Sequence, residues 1–130
     1  MRAARAYQSI DQHTSVIGAD PLELVLLLYD KLLQRIAEAE MLLQAGDIAG
    51  KGQALGKAIE LIEKGLIGAL DHNQGGELAV QLKTQYALWM ALLLRSNINS
   101  DMALLQQVQQ QVKEVLAVWR EVRMLNRTMR

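Results

Sequence analysis

Aliphatic residues recur at intervals of three and four through most of this chain, and period-two alternation of β-branched residues is nearly absent. That period predicts amphipathic helices rather than strands. A first helix starts where Asp20 can cap, Pro21 suits the first turn and Glu23 stands three residues after the cap. Its stripe is Leu22, Val25, Leu26, Tyr29, Leu33 and Ile36, and "QAGD" at 44–47 ends it. A second helix is expected over about 47–72, with Leu55, Ile59, Ile62, Leu66 and Leu70 on one face and "HNQGG" at 72–76 as its stop. A third is expected over about 76–97, carrying Leu78, Leu82, Tyr86, Trp89 and Leu93. Asp101 can cap a fourth, with Leu105, Val108, Val112, Val115, Leu116, Trp119 and Val122. Four long helices with short connections predict an all-α fold, an antiparallel up-down-up-down four-helix bundle. The expected organisation is a single domain over 1–130, with an irregular N-terminal arm at 1–19, the bundle at 20–125 and a flexible tail at 126–130.

The pattern carries more apolar surface than a closed bundle needs. Six of the seven residues from Leu22 to Leu28 are aliphatic, so Leu24 and Leu27 face away from the main stripe. Every bundle helix should show a polar back. The fourth does, through its Gln-rich stretch 106–111, but the third does not. Val80, Ala87, Ala91 and Leu94 cluster opposite Leu82 and Trp89, with Met90 at the edge of the cluster. On the second helix Leu61, Gly65 and Gly68 lie beside the core stripe. Glycine inside a helix costs roughly 0.5–1 kcal/mol relative to alanine, so its use there suggests close approach of another backbone. A groove for an amphipathic helix would have this composition. A homodimer face and modest cover by the arm, where Tyr7 and Ile10 are apolar, are the other readings of the same residues.

Composition narrows the function further. A chain of 130 residues with 51% hydrophobic content can bury a core and is not a disordered tail. The net charge of +0 offers no general basic excess for nucleic acid. Arg120, Arg123, Arg127 and Arg130 suit a helix C-terminus and solvent. A membrane span takes about 20 apolar residues, and Glu23 and Asp30 bracket the longest run, so no stable membrane insertion is expected. No secretory signal layout is read at the N-terminus. With 0 cysteines there is no disulfide framework and no thiol nucleophile. His13 and His72 lack partners at ligand spacing, so no metal is expected. Ser9, Thr14 and Ser15 near His13 have no framework to orient them. The glycines at 46, 50, 52 and 56 do not form a phosphate-binding loop. Neither catalysis nor a cofactor is expected.

The stretch "AYQSIDQHTSVIGADPLELVLLLYD" resembles the N-terminal signature of the FliS family of flagellar export chaperones. "GDIAGKGQALGKAIELIEKGL" is similar to that family's second helix, and "GGELAVQL" to the entry of its third. "NINSD" stands at its Asn-rich turn and "VWREV" at its Trp-bearing end, so the likeness spans about residues 6–122. Departures are Lys31 after Leu-Tyr-Asp, "QYALWM" in helix 3 and Ala4 ahead of the arm tyrosine.

The resemblance implies a cytoplasmic helical bundle, a monomer or weak homodimer. It would bind the disordered C-terminal segment of flagellin, prevent premature polymerisation and deliver the client to the flagellar type III export apparatus. It also implies that the segment becomes helical on the chaperone, and that Tyr7 can contact the export-gate protein. On this reading Leu61, Gly65, Gly68, Val80, Ala87, Met90, Ala91 and Leu94 form the flagellin groove. Tyr7 and Ile10 form a movable cover. The competing class is a homodimeric helical structural or adaptor protein without such a client.

Overall fold

The computed structural model describes residues 5–7 and 21–128, with the side chain of Arg127 outside the description. Asp20, Ile10, His13 and the tail residues 129–130 lie outside the described residues. Four long helical segments follow one another, and no strand occurs among the described residues. Helix α1 spans Pro21–Gln44. Helix α2 begins as an α-helix over Ile48–Glu60 and continues as a π-helix over Leu61–Ile67. Helices α3 and α4 span His72–Asn99 and Met102–Thr128.

The capping residues explain most boundaries. Asp47 accepts a hydrogen bond from the Gly50 amide at 2.9 Å, and Asp101 accepts one from the Leu104 amide at 3.0 Å. Each satisfies an amide that the first helical turn leaves without a partner. The α2–α3 boundary differs from the sequence expectation. Asp71 accepts from the amides of Asn73 and Gln74, so "HNQGG" opens α3 instead of closing α2. The new helix breaks its path at Gly76, whose φ of 55° falls in the left-handed region that glycine tolerates. The π-helix was not visible in the apolar period. It is closed by the Gly68 amide donating to Glu63 O, five residues back, at 3.0 Å.

Three contacts establish the antiparallel order. Lys51, near the start of α2, donates from Nζ to Asn97 O at 2.9 Å and to Ser100 Oγ at 3.0 Å, closing the far end of α3. Gly65, late in α2, lies against Leu28, early in α1. Trp119, late in α4, donates to Tyr29, early in α1. The bundle therefore runs up, down, up, down, with α1 packed on α2 and α4, and α3 closing the opposite side.

The buried stripes follow the sequence period. Val25, Tyr29 and Ile36 of α1 are fully buried, as are Leu55, Ile62 and Leu66 of α2 and Trp89 and Leu93 of α3. Leu32 joins them although the sequence stripe omitted it, while Leu26 and Leu33 are only partly buried beside it. Ile62 has 0% exposure and Val80 57%, which separates inner from outer surface. Ile62→Ala is therefore expected to cost about 2–5 kcal/mol in urea unfolding. Val80→Glu should shift stability by no more than about 0.5 kcal/mol, as for exposed positions generally. The reverse ranking would mean that the helices are rotated from these faces.

Candidate functional site

The outer face of α3 is open along its length. Val80, Leu94 and Ile98 are 57%, 51% and 72% exposed, and Ala87 and Ala91 are exposed between them. At 100° per residue these five share one line, which spans about 27 Å at 1.5 Å per residue. Leu88, Ala91, Leu92, Leu94, Arg95 and Ile98 line a furrow of about 440 Å³ at its C-terminal half. Ile98 and Leu88 were missed by the sequence reading. Ile98 continues the spacing four residues after Leu94, but "NINSD" has the composition of a turn, whereas the helix runs to Asn99.

The expected groove residues are not brought together as one surface. Met90 turns half inward and packs against the core. Leu61 and Gly65 line a separate furrow of about 470 Å³ with Lys31, Gln34 and Arg35 of α1. The close approach that Gly65 suggested is made within the bundle: an added Cβ would stand 3.1 Å from Leu28 Cδ2. Gly68 is exposed, but an added Cβ would run into the carbonyl oxygen of Lys64 at the end of the π-helix. A side chain there would disturb the turn before it touched any partner.

Tyr7 also departs from the expected surface cover. It is fully buried, and its rim and tip are held by three elements. The Tyr7 hydroxyl lies 3.1 Å from Leu66 O and 2.9 Å from the Tyr86 hydroxyl. Tyr86 and Tyr29 hydroxyls are 2.7 Å apart, and Trp119 Nε1 donates to Tyr29 at 3.1 Å. Each phenol has one proton to give. The indole can only donate and the carbonyl can only accept, so the chain has one direction. Trp119 donates to Tyr29, Tyr29 to Tyr86, Tyr86 to Tyr7, and Tyr7 to the Leu66 carbonyl at the end of α2. Ala6 O accepts from the Asp71 amide at 2.7 Å, and Gly75 lets the Ala6 backbone pass where a Cβ would be 2.7 Å from Ala6 Cα. Residues 6–7 thus seal the α2–α3 corner.

The aromatic composition now has a physical account. The chain has three Tyr, two Trp and no Phe. All five rings join one cluster, with Tyr7 edge-on to Trp119 at 5.7 Å and Tyr29 edge-on to Trp89 at 6.1 Å. Every ring uses its polar tip, because Trp89 Nε1 donates to Gln111 Oε1 at 3.1 Å. Phenylalanine could supply the packing but not this network. Burial is the main cause that raises the pKa of Tyr7, Tyr29 and Tyr86 above the ordinary phenol value, while the hydrogen bonds that Tyr7 accepts from Tyr86, and Tyr86 from Tyr29, pull part of the way back.

Among the described residues no group of three or more metal-ligating side chains occurs, and no helix is long and apolar enough to cross a membrane. The family described as flagellar protein FliS matches residues 3–126 of this chain. The chain is 37% identical to the flagellar secretion chaperone FliSB of Pseudomonas aeruginosa, covering 92% of this chain and 94% of that protein. It is 30% identical to the flagellar secretion chaperone FliS of Salmonella typhimurium, covering 91% and 87%.

Proposed function

This chain belongs to the FliS family and is a flagellar export chaperone; we propose that its client is flagellin, held in the cytoplasm by its C-terminal segment until delivery to the export gate. The observation that carries this reading is the uncovered aliphatic line from Val80 to Ile98 on α3. A disordered client loses about 1–2 kcal/mol of backbone entropy for each residue it orders. Burial of apolar surface, at about 25 cal/mol per Å², is the main term that offsets this loss. Only a chaperone with apolar surface outside its own core can supply it. A line of about 27 Å matches a client helix of about 18 residues. Holding the segment as a helix on α3 keeps it from the subunit contacts of a filament, and no nucleotide is needed for that.

A contact between Tyr7 and the export gate would require residues 6–7 to leave the core, breaking the bonds to Leu66 O and Asp71 N. Pull-down of full-length flagellin, beside flagellin lacking its C-terminal segment, tests the client assignment. Capture of the first and not the second is expected. Equal capture of both, or of neither, would sink it.

A further inference from the structure

The furrow between α1 and α2 differs in chemistry from the α3 line. Lys31 and Arg35 of α1 form one wall, Lys57 and Lys64 of α2 the other, and Leu61 lies half-buried between them. Glu60 is the one carboxylate in this lining. The whole chain is neutral, so four cations facing one carboxylate are a local concentration of positive charge. Neighbouring carboxylates neutralise only part of it. Lys64 pairs with Glu60 at 3.2 Å and Arg35 with Glu38 at 3.0 Å, both in exposed positions where such pairs are weak. Among the described residues neither Lys31 nor Lys57 has an ion-pair partner.

We propose that this furrow is a second docking surface, for an acidic amphipathic helix of a protein partner. An aliphatic ridge on such a helix would rest on Leu61, and carboxylates on its two flanks would reach Lys31 and Lys57. Lys57 and Lys64 both line the α2 side of the furrow, so carboxylates spaced along that flank of the partner would meet both. Complementary charge of this kind sets partner choice and encounter rate. A nucleic-acid backbone fits less well, because it would meet Glu60 and the apolar Leu61 where it needs further cations. The surface is separate from the α3 line and shares no residue with the furrow there.

The test uses the full chain and a fluorescent synthetic helical peptide of about 18 residues, with a leucine ridge flanked by glutamates. A second peptide carries lysines in place of the glutamates, and a single-stranded RNA of similar length serves as the other polyanion. Anisotropy titration should show the acidic peptide binding at least about ten-fold tighter than the basic one, with affinity falling as salt rises. The double variant Lys31→Glu/Lys57→Glu should lose at least about ten-fold for the acidic peptide, while its thermal unfolding stays near wild type. Leu61→Gln should weaken binding as well, whereas Ala91→Arg should leave it unchanged. That last arm separates this surface from the flagellin assignment, since either can fail alone. No measurable peptide binding, equal binding of both peptides, or an unchanged affinity in the double variant would overturn the proposal. So would RNA binding as tight as the acidic peptide's and equally sensitive to the double variant.

Discussion

Raising the pH above about 10 should unfold this protein cooperatively, with release of the protons of all three tyrosines in the same transition. Tyr7, Tyr29 and Tyr86 are fully buried, and each has a folded-state pKa above its ordinary value, mainly because burial disfavours the phenolate. The sign follows from linkage. Below about pH 10 folded and unfolded chains both hold these protons, so the stabilisation from the neutral network is fully present. Above that pH the unfolded chain releases protons that the folded chain keeps, and stability falls by about 1.4 kcal/mol per pH unit for each phenol. Three phenols acting together give about 4 kcal/mol per pH unit. A domain with a typical stability of about 5–15 kcal/mol cannot withstand that for more than a few units. Phenolate absorbance and helical circular dichroism should therefore change together. Phenolate formation centred near pH 10 with the helices intact would show that the tyrosines are not held as described.

The same network marks where the sequence was legible and where it was not. Tyr29, Tyr86, Trp89 and Trp119 sit on helical stripes, and the period alone placed each of them inward. Tyr7 has no stripe around it, so no local pattern shows that it reaches Leu66, 59 residues away. Such long-range insertion is set at the α2–α3 corner, where the accepting Leu66 carbonyl lies in a π-helix that leaves no mark in hydrophobic spacing. The exposed line on α3 was legible because it is a second period on the same helix. Its extension to Ile98 was lost with a misplaced helix end. Leu61 and Gly65 line a furrow with α1, and the period does not show this for a related reason. An outward angle on α2 says which residues leave the core, but which adjacent helix they lean toward is set by packing. Gly65 in particular answers to Leu28 of α1. Gln111 belongs by pattern to the polar back of α4, yet it turns inward, where the buried Trp89 indole finds its acceptor.

The largest effect on client binding should come from Ala91→Arg. Ala91 is exposed near the middle of the α3 line, with Ala87 one turn before it and Leu94 one turn after. Two small residues there would let a client helix approach closely, and the exposed Val80, Leu94 and Ile98 would supply the apolar area on either side. An arginine would place a long side chain and a charge under that helix, where the charge would lose water without gaining a partner. The loss should reach about 2 kcal/mol or more, roughly thirty-fold in affinity, as for central positions of other interfaces. The chaperone itself should be nearly unaffected, because arginine and alanine differ little in helix propensity and no core contact is removed. Leu94→Glu offers an independent variant on the same line. Gln107→Arg adds the same charge on the exposed side of α4 and should leave binding as it was. Isothermal titration calorimetry with the isolated C-terminal segment of flagellin reads all three, beside thermal unfolding of each variant. Wild-type affinity in both Ala91→Arg and Leu94→Glu would exclude α3 as the docking face. A loss in Gln107→Arg equal to theirs would mean that binding responds to added charge and not to the apolar line.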